Sequence, residues 1–221
     1  MTAALSAEKR ALLNVLCSRL LAYPDEQFEA ERDQLVEASN QLPPELSSEF
    51  AKFFAATEGR ELLDLQAEYV RTFDVRRRAC LYLSYYLNGD TRRRGAALWR
   101  FQETYKILGF DMDSGELPDF LPMLLEAAAH GGDAAIAAEG LLDEHRQGLE
   151  VLISALERFE SPQVYVVRAL VNAMPEITTV QRKAAEALIA GGPPTELVGI
   201  DPLPLIMKPY DNNDSVAGAR S

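Results

Sequence analysis

Nine basic residues lie between Arg71 and Lys106, against only Asp74, Asp90 and Glu103, in a chain whose formal net charge is -12. Six of the nine form two triplets, Arg76-Arg77-Arg78 and Arg92-Arg93-Arg94, and aromatic residues stand among them: Tyr82, Tyr85, Tyr86, Trp99 and Tyr105. Guanidinium groups fork around carboxylates and phosphates. Large rings beside arginine make the composition of a protein-binding hot spot. This is the chemistry of capture rather than turnover. The second triplet falls in the first turn of an expected helix, where each cation costs a few tenths of a kcal/mol unless an anion compensates. Two readings stand. Either this helix end meets a carboxylate or phosphate of a partner, or the arginines pair internally with Glu61, Asp64 and Glu68. The rings divide in the same way: most belong to a core, and one or two to a groove that could take a peptide helix.

Motifs for other chemistry are missing. The chain has no GxxxxGK[ST] phosphate loop, no GxGxxG and no nucleophile elbow. Its two histidines, His130 and His145, lack partners at metal-ligand spacing. His145 falls on an apolar stripe and reads as a hydrogen-bonded core histidine. Cys17 and Cys80 form no CxxC pair and read as buried, reduced thiols. No catalytic set, metal or cofactor is expected. The acidic balance disfavours nucleic acid and anionic membrane. The absence of a secretory signal and of a membrane-length apolar run points to the cytoplasm.

The elements that must position this surface read as helices throughout. Ser6 caps a first helix to about Leu21, with Leu12, Val15, Leu16 and Leu20 inward, and Asp25 caps a second to about Ser39. Pro43-Pro44 opens a third. A fourth runs from about Arg60 to Phe73 on a stripe of Leu62, Leu65, Tyr69 and Phe73. Cys80 to Leu87 alternates as a strand would, yet helices on both sides favour a short buried helix. Asn88-Gly89 stops it, and Asp90 or Thr91 caps the next, through about Leu108. Pro118-Asp119 starts a helix to His130, with Pro122 tolerated in its first turn. Beyond Gly131-Gly132, capped by Asp133, the stripe Leu142, His145, Leu149, Leu152, Leu156 and Phe159 predicts one long amphipathic helix. Pro162 opens a further helix that Pro175 must kink or end. The sum is an all-α domain of about nine helices over residues 1–192, with no strand-helix alternation. An extended strap carrying Pro202, Pro204 and Pro209, with a disordered tip, follows over residues 193–221.

Several runs in order resemble the NarJ family, the nitrate reductase delta-subunit chaperones within the wider NarJ/TorD/DmsD group. They are Glu68-Tyr69-Val70-Arg71-Thr72-Phe73, Leu81-Tyr82-Leu83-Ser84, Gly89-Asp90-Thr91-Arg92-Arg93-Arg94-Gly95, Tyr105 with Gly109-Phe110, and Glu116-Leu117-Pro118-Asp119-Phe120-Leu121-Pro122 with Leu125-Glu126. Tyr69 and Phe73 resemble the family's tyrosine-x-x-leucine-phenylalanine element, with Thr72 in place of leucine. Pro118-Asp119 resembles its proline-aspartate motif. Phe120 stands where TorD-like members often carry histidine. The resemblance implies an all-helical, non-enzymatic, cytoplasmic assembly chaperone. It would bind the apo catalytic (alpha) subunit of respiratory nitrate reductase, mainly through that subunit's N-terminal segment, until the molybdenum cofactor is inserted and the complex docks at the membrane. The expected client-contacting residues are Tyr69, Phe73, Tyr82, Tyr86, Arg93, Arg94, Trp99, Tyr105, Asp119 and Phe120. The expected state is monomer or weak dimer, with no nucleic acid bound and no membrane insertion. A rival is a TorD/DmsD-like chaperone for another molybdoenzyme carrying a twin-arginine leader, which an acidic groove would suit better. A DNA-binding regulator would need a basic recognition helix, and the aromatic, glycine-flanked segments fit that poorly.

Overall fold

The computed structural model describes residues 5–75, 77–110 and 115–191. Arg76, residues 111–114 and the expected tail over 193–221 lie outside the described residues. Among those described, eleven α-helices follow in order: α1 (Ala7–Leu21), α2 (Glu26–Ser39), α3 (Pro44–Ala56), α4 (Leu62–Tyr69), α5 (Leu83–Asn88), α6 (Arg92–Ile107), α7 (Leu121–Ala129), α8 (Gly132–Glu144), α9 (Arg146–Arg158), α10 (Gln163–Ala173) and α11 (Thr179–Gly191). The all-α class therefore holds. No helix among them is long and apolar enough to cross a membrane.

Several local signals act as read, but Asp133 lies inside the first turn of α8 behind the N-cap Gly131, and Thr91 stands at the start of α6 without a side-chain cap bond. The Ser6 side chain accepts from the Lys9 amide and the Asp25 carboxylate from the Phe28 amide, so α1 and α2 start on the expected caps. Pro44 opens α3, and α10 stops ahead of Pro175. Gly89 ends α5 with φ 57°, a conformation that a side chain would strain. The centre of the molecule is α1, packed on α7 and α10, with α3 behind α10. Leu16, Cys17 and Leu21 of α1, Leu121, Leu124 and Leu125 of α7, and Val166, Val167 and Ala169 of α10 are completely buried.

Two expected helices are each divided. The fourth is α-helical only to Tyr69. A π turn over Val70–Asp74 then closes with the Val75 amide on the Val70 carbonyl, and the wider turn lets Thr72 and Phe73 both face inward. The long stripe through Leu142 and Phe159 breaks at His145, whose backbone leaves helical geometry (φ -100°, ψ 13°). Its Nδ1 donates to the Leu141 carbonyl at 2.8 Å, and its ring lies against Phe101. The next residue, Arg146, is buried. It reaches Glu150 and donates to the Pro175 carbonyl at 2.8 Å, tying the α10–α11 connection to α9. The stripe stays inward across the break, which is why periodicity alone did not show it.

The short segment Cys80–Leu87 is both things the sequence suggested. Tyr82 is extended and makes an isolated antiparallel bridge to Phe120 before α5 begins at Leu83. Tyr86 of α5 faces inward onto Gly148 of α9, where an added Cβ would lie 3.0 Å from the Tyr86 ring and 3.1 Å from its Cβ. Gly148→Ala is therefore expected to destabilise the protein by about 1–3 kcal/mol through overpacking. Gly140→Ala on α8 meets nothing within 4 Å and should stabilise by about 0.5–1 kcal/mol. Urea unfolding of the two variants checks the contrast.

Burial lowers the pKa of His145 below the ordinary value of 6.5. The unfolded chain then binds the proton more tightly than the folded one. Stability from this group is complete above about pH 6.5 and is lost as pH falls from there through the lower folded value. His145→Gln should flatten the fall in Tm between pH 7 and pH 5, as read by thermal melts.

Candidate binding groove

The bridge between Leu81–Leu83 and Asp119–Leu121 organises the surface that the sequence singled out. The Leu83 amide donates to the Asp119 carbonyl at 3.0 Å and the Leu121 amide to the Leu81 carbonyl at 2.8 Å. The sequence places Pro118-Asp119 at the start of a helix. Instead α7 begins at Leu121 with no side-chain cap, and the Asp119 carboxylate reaches across to α5. Its Oδ2 accepts from the Ser84 amide at 3.1 Å and the Ser84 hydroxyl at 2.6 Å. Asp119 thus caps α5, a helix distant in sequence whose own N-cap, Tyr82, cannot do so. The carboxylate is completely buried, and the Arg94 guanidinium stands 3.9 Å from it.

Arg94 is held from several sides: Asp90 at 3.6 Å, and the rings of Tyr82 and Tyr85 at 5.9 and 5.7 Å. Among the described ion pairs, Arg94 of the second triplet does not take the expected partners Glu61, Asp64 and Glu68. Glu68 pairs with Arg60, and Arg94 with Asp90 and Asp119. Tyr82 is the hinge of the surface. Its ring packs on Phe120 with centroids 5.6 Å apart, and its hydroxyl donates to Glu116 at 2.8 Å. Burial and the Glu116 carboxylate together push the Tyr82 phenol well above its ordinary pKa, so it remains a donor at neutral pH.

Beyond Phe120 a groove of ≈ 660 Å³ opens between α1 and α7. Val15, Ala22, Phe120, Pro122 and Met123 supply its apolar walls, and Arg19, Glu116, Glu126 and His130 its polar edge. The Ser18 hydroxyl donates to the Pro122 carbonyl at 2.8 Å and fixes the two helices along its length. Val15 was expected inward, but it is 44% exposed and lines the groove. Among the described residues this edge carries two glutamates and one arginine, Arg19, which is paired with Glu31 at 3.2 Å and Asp25 at 3.7 Å.

The sequence-selected residues therefore part company. Phe120 lines the groove, with Tyr82 behind it and Arg94 beyond. Tyr69, Phe73, Tyr86, Tyr105 and Asp119 are buried. Tyr69 donates to the Leu21 carbonyl at 3.2 Å, which anchors the end of α1, and Phe73 packs on it. Tyr86 donates to the Cys80 carbonyl at 2.7 Å. Arg93 is exposed, and so is Trp99, at 63%; both lie on α6 and line no part of the groove. Sequence reasoning missed Val15, Met123, Glu116 and Glu126. The signal was present in the two glutamates that bracket Pro118–Met123, and in a valine that widens the stripe of α1 beyond what one core face needs. Cys17 is buried and Cys80 half-buried, both free, and burial raises the Cys80 pKa to about 11. Among the described residues no group of His, Cys, Asp and Glu could hold a metal ion.

Asp119→Ala would remove the cap of α5 and leave the buried Ser84 amide without an acceptor. Loss of a cap costs about 1 kcal/mol, and an unpaired buried donor about 1–3 kcal/mol. A destabilisation of about 2–4 kcal/mol in urea is expected, with Asp119→Asn losing less because one acceptor oxygen remains.

Residues 7–165 match the family described as nitrate reductase delta subunit. The probable nitrate reductase molybdenum cofactor assembly chaperone NarJ of Bacillus subtilis is 30% identical over 164 residues, covering 72% of this chain and 86% of that one. The nitrate reductase molybdenum cofactor assembly chaperone NarJ of Escherichia coli K12 is 36% identical over 132 residues, 58% of this chain and 56% of that one. The nitrate reductase-like protein NarX of Mycobacterium tuberculosis is 40% identical over 108 residues, which is 49% of this chain but 16% of NarX. The match runs from α1 through the Tyr82–Phe120 bridge to the start of α10, and on that extent this chain belongs to the nitrate reductase delta subunit family.

Proposed function

We propose that the chain is a dedicated, non-catalytic assembly chaperone for respiratory nitrate reductase. It binds the apo catalytic subunit, mainly by its N-terminal segment, and keeps it competent for molybdenum cofactor insertion before membrane docking. It acts in the cytoplasm, as a monomer or weak dimer. The observation that carries this reading is the open apolar groove beside the Pro118-Asp119-Phe120 turn, in a chain whose family relatives are named for cofactor assembly. Its walls can take the apolar face of a client helix, and Glu116 and Glu126 suit a basic flank on that helix. The aromatic and cationic face of α6, with Arg93 and Trp99, is available to a second stretch of the same client.

The acidic edge also suits a cationic twin-arginine leader, so a TorD/DmsD-like role for another molybdoenzyme is the second reading. The two make different demands on the client peptide.

Met123→Asp combined with Val15→Asp should weaken binding of an N-terminal peptide of the nitrate reductase catalytic subunit at least 10-fold by calorimetry. Arg93→Glu with Trp99→Ala should leave the peptide unaffected and weaken only the full-length apo subunit. Tighter binding of a twin-arginine leader than of the nitrate reductase peptide would favour the second reading. Unchanged peptide affinity in the groove variant would overturn the groove assignment.

A further inference from the structure

A second groove, of ≈ 600 Å³, lies on another side of α1, between α8 and the C-terminal end of α10. Leu13, Leu46, Leu142, Leu170 and Met174 make its walls apolar. Asn14 also lines it; this side chain is 3% exposed, and its Nδ2 has no hydrogen-bond partner. A buried amide donor without an acceptor is uncommon in a folded protein. One helical turn before it stands Arg10, whose Nε lies 3.4 Å from Oε1 of Glu139 on α8. That contact is an ion pair without hydrogen-bond geometry, so the buried Glu139 Oε1 is short of a donor. One hollow thus holds a donor lacking an acceptor and an acceptor lacking a donor.

We propose that this groove binds an extended, apolar segment of a partner protein that carries a lysine or arginine. A peptide unit offers both missing groups, a carbonyl for Asn14 and an amide for Glu139. A helix uses its inner amides and carbonyls on itself, whereas an extended backbone leaves them free. The aliphatic walls take the segment's apolar side chains. The rim selects its charge. Asp143 and Glu176 are exposed at the groove, and neither has an ion-pair partner among the described residues. Arg10 is matched by Glu139, so the charge left over is negative, as it is for the whole chain. Such a rim repels an anionic lipid or a phosphate and draws in a cation.

This site is separate from the first groove. α1 gives Arg10, Leu13 and Asn14 to one and Val15, Ser18 and Arg19 to the other, and the two share no lining residue. The inference therefore does not depend on which client the first groove holds.

The test uses the full chain, labelled with nitrogen-15, and acetyl-Lys-Val-Leu-Val-Lys-amide as the probe, whose β-branched residues favour extended backbone. On titration the side-chain amide resonances of Asn14 should move downfield, together with backbone signals of Leu142, Asp143 and Met174. The probe should bind at least 10-fold more tightly than acetyl-Glu-Val-Leu-Val-Glu-amide. Asp143→Lys with Glu176→Lys should reverse that preference. Asn14→Leu, close in volume, should weaken the lysine probe at least 5-fold while circular dichroism shows the helices retained. The charge-reversal variant changes only exposed side chains, so it decides the matter should the Asn14 variant not fold. A still Asn14 resonance with both peptides, equal binding of the two, shifts confined to the first groove around Val15 and Met123, or a preference for lysine that survives the charge reversal would each overturn the assignment.

Discussion

The buried carboxylate of Asp119 is the constraint on which the rest of this surface hangs. It satisfies the start of α5, a helix too short and too apolar to begin well by itself. In doing so it locks Leu81–Leu83 against Asp119–Leu121. That pairing sets where Phe120 emerges, where α7 begins, and therefore the width of the groove between α7 and α1. It also draws Arg94 from α6 toward the interior, so the second arginine triplet is partly a structural device.

Much of the fold was legible because local chemistry and global packing agree. Ser6, Asp25, Pro44 and Gly89 each do what their side chains, or lack of one, dictate. The two divided helices were not legible, for one shared reason. Apolar periodicity records which face is inward, and neither the π turn after Tyr69 nor the break at His145 changes that face. Cys80–Leu87 was ambiguous because it holds a bridge residue and a helix in one short run.

The candidate site was legible as a region and not as a list. The Pro118-Asp119-Phe120 turn lies beside the groove, but Asp119 and Phe120 do opposite things, one buried and one lining it. Aromatic and arginine residues drew attention because their types are diagnostic of interfaces. Here Tyr69, Tyr86 and Tyr105 are spent on the core, and Arg94 on holding two rings and a carboxylate. The groove itself is made from commonplace residues, Val15 and Met123, whose exposure depends on how α1 and α7 are set side by side. Its acidic edge agrees with the sign of the whole chain rather than with the basic stretch nearby.

Trp99 is the single tryptophan of the chain, and it stands in water on α6, apart from both grooves. Its emission is therefore a natural lamp for one face of the molecule. A client that fills only the hollow between α1 and α7 leaves the lamp unshaded, while one that also lies across α6 moves the indole out of solvent and shifts its colour to the blue. The unlabelled protein can thus distinguish a partial grip from a complete one.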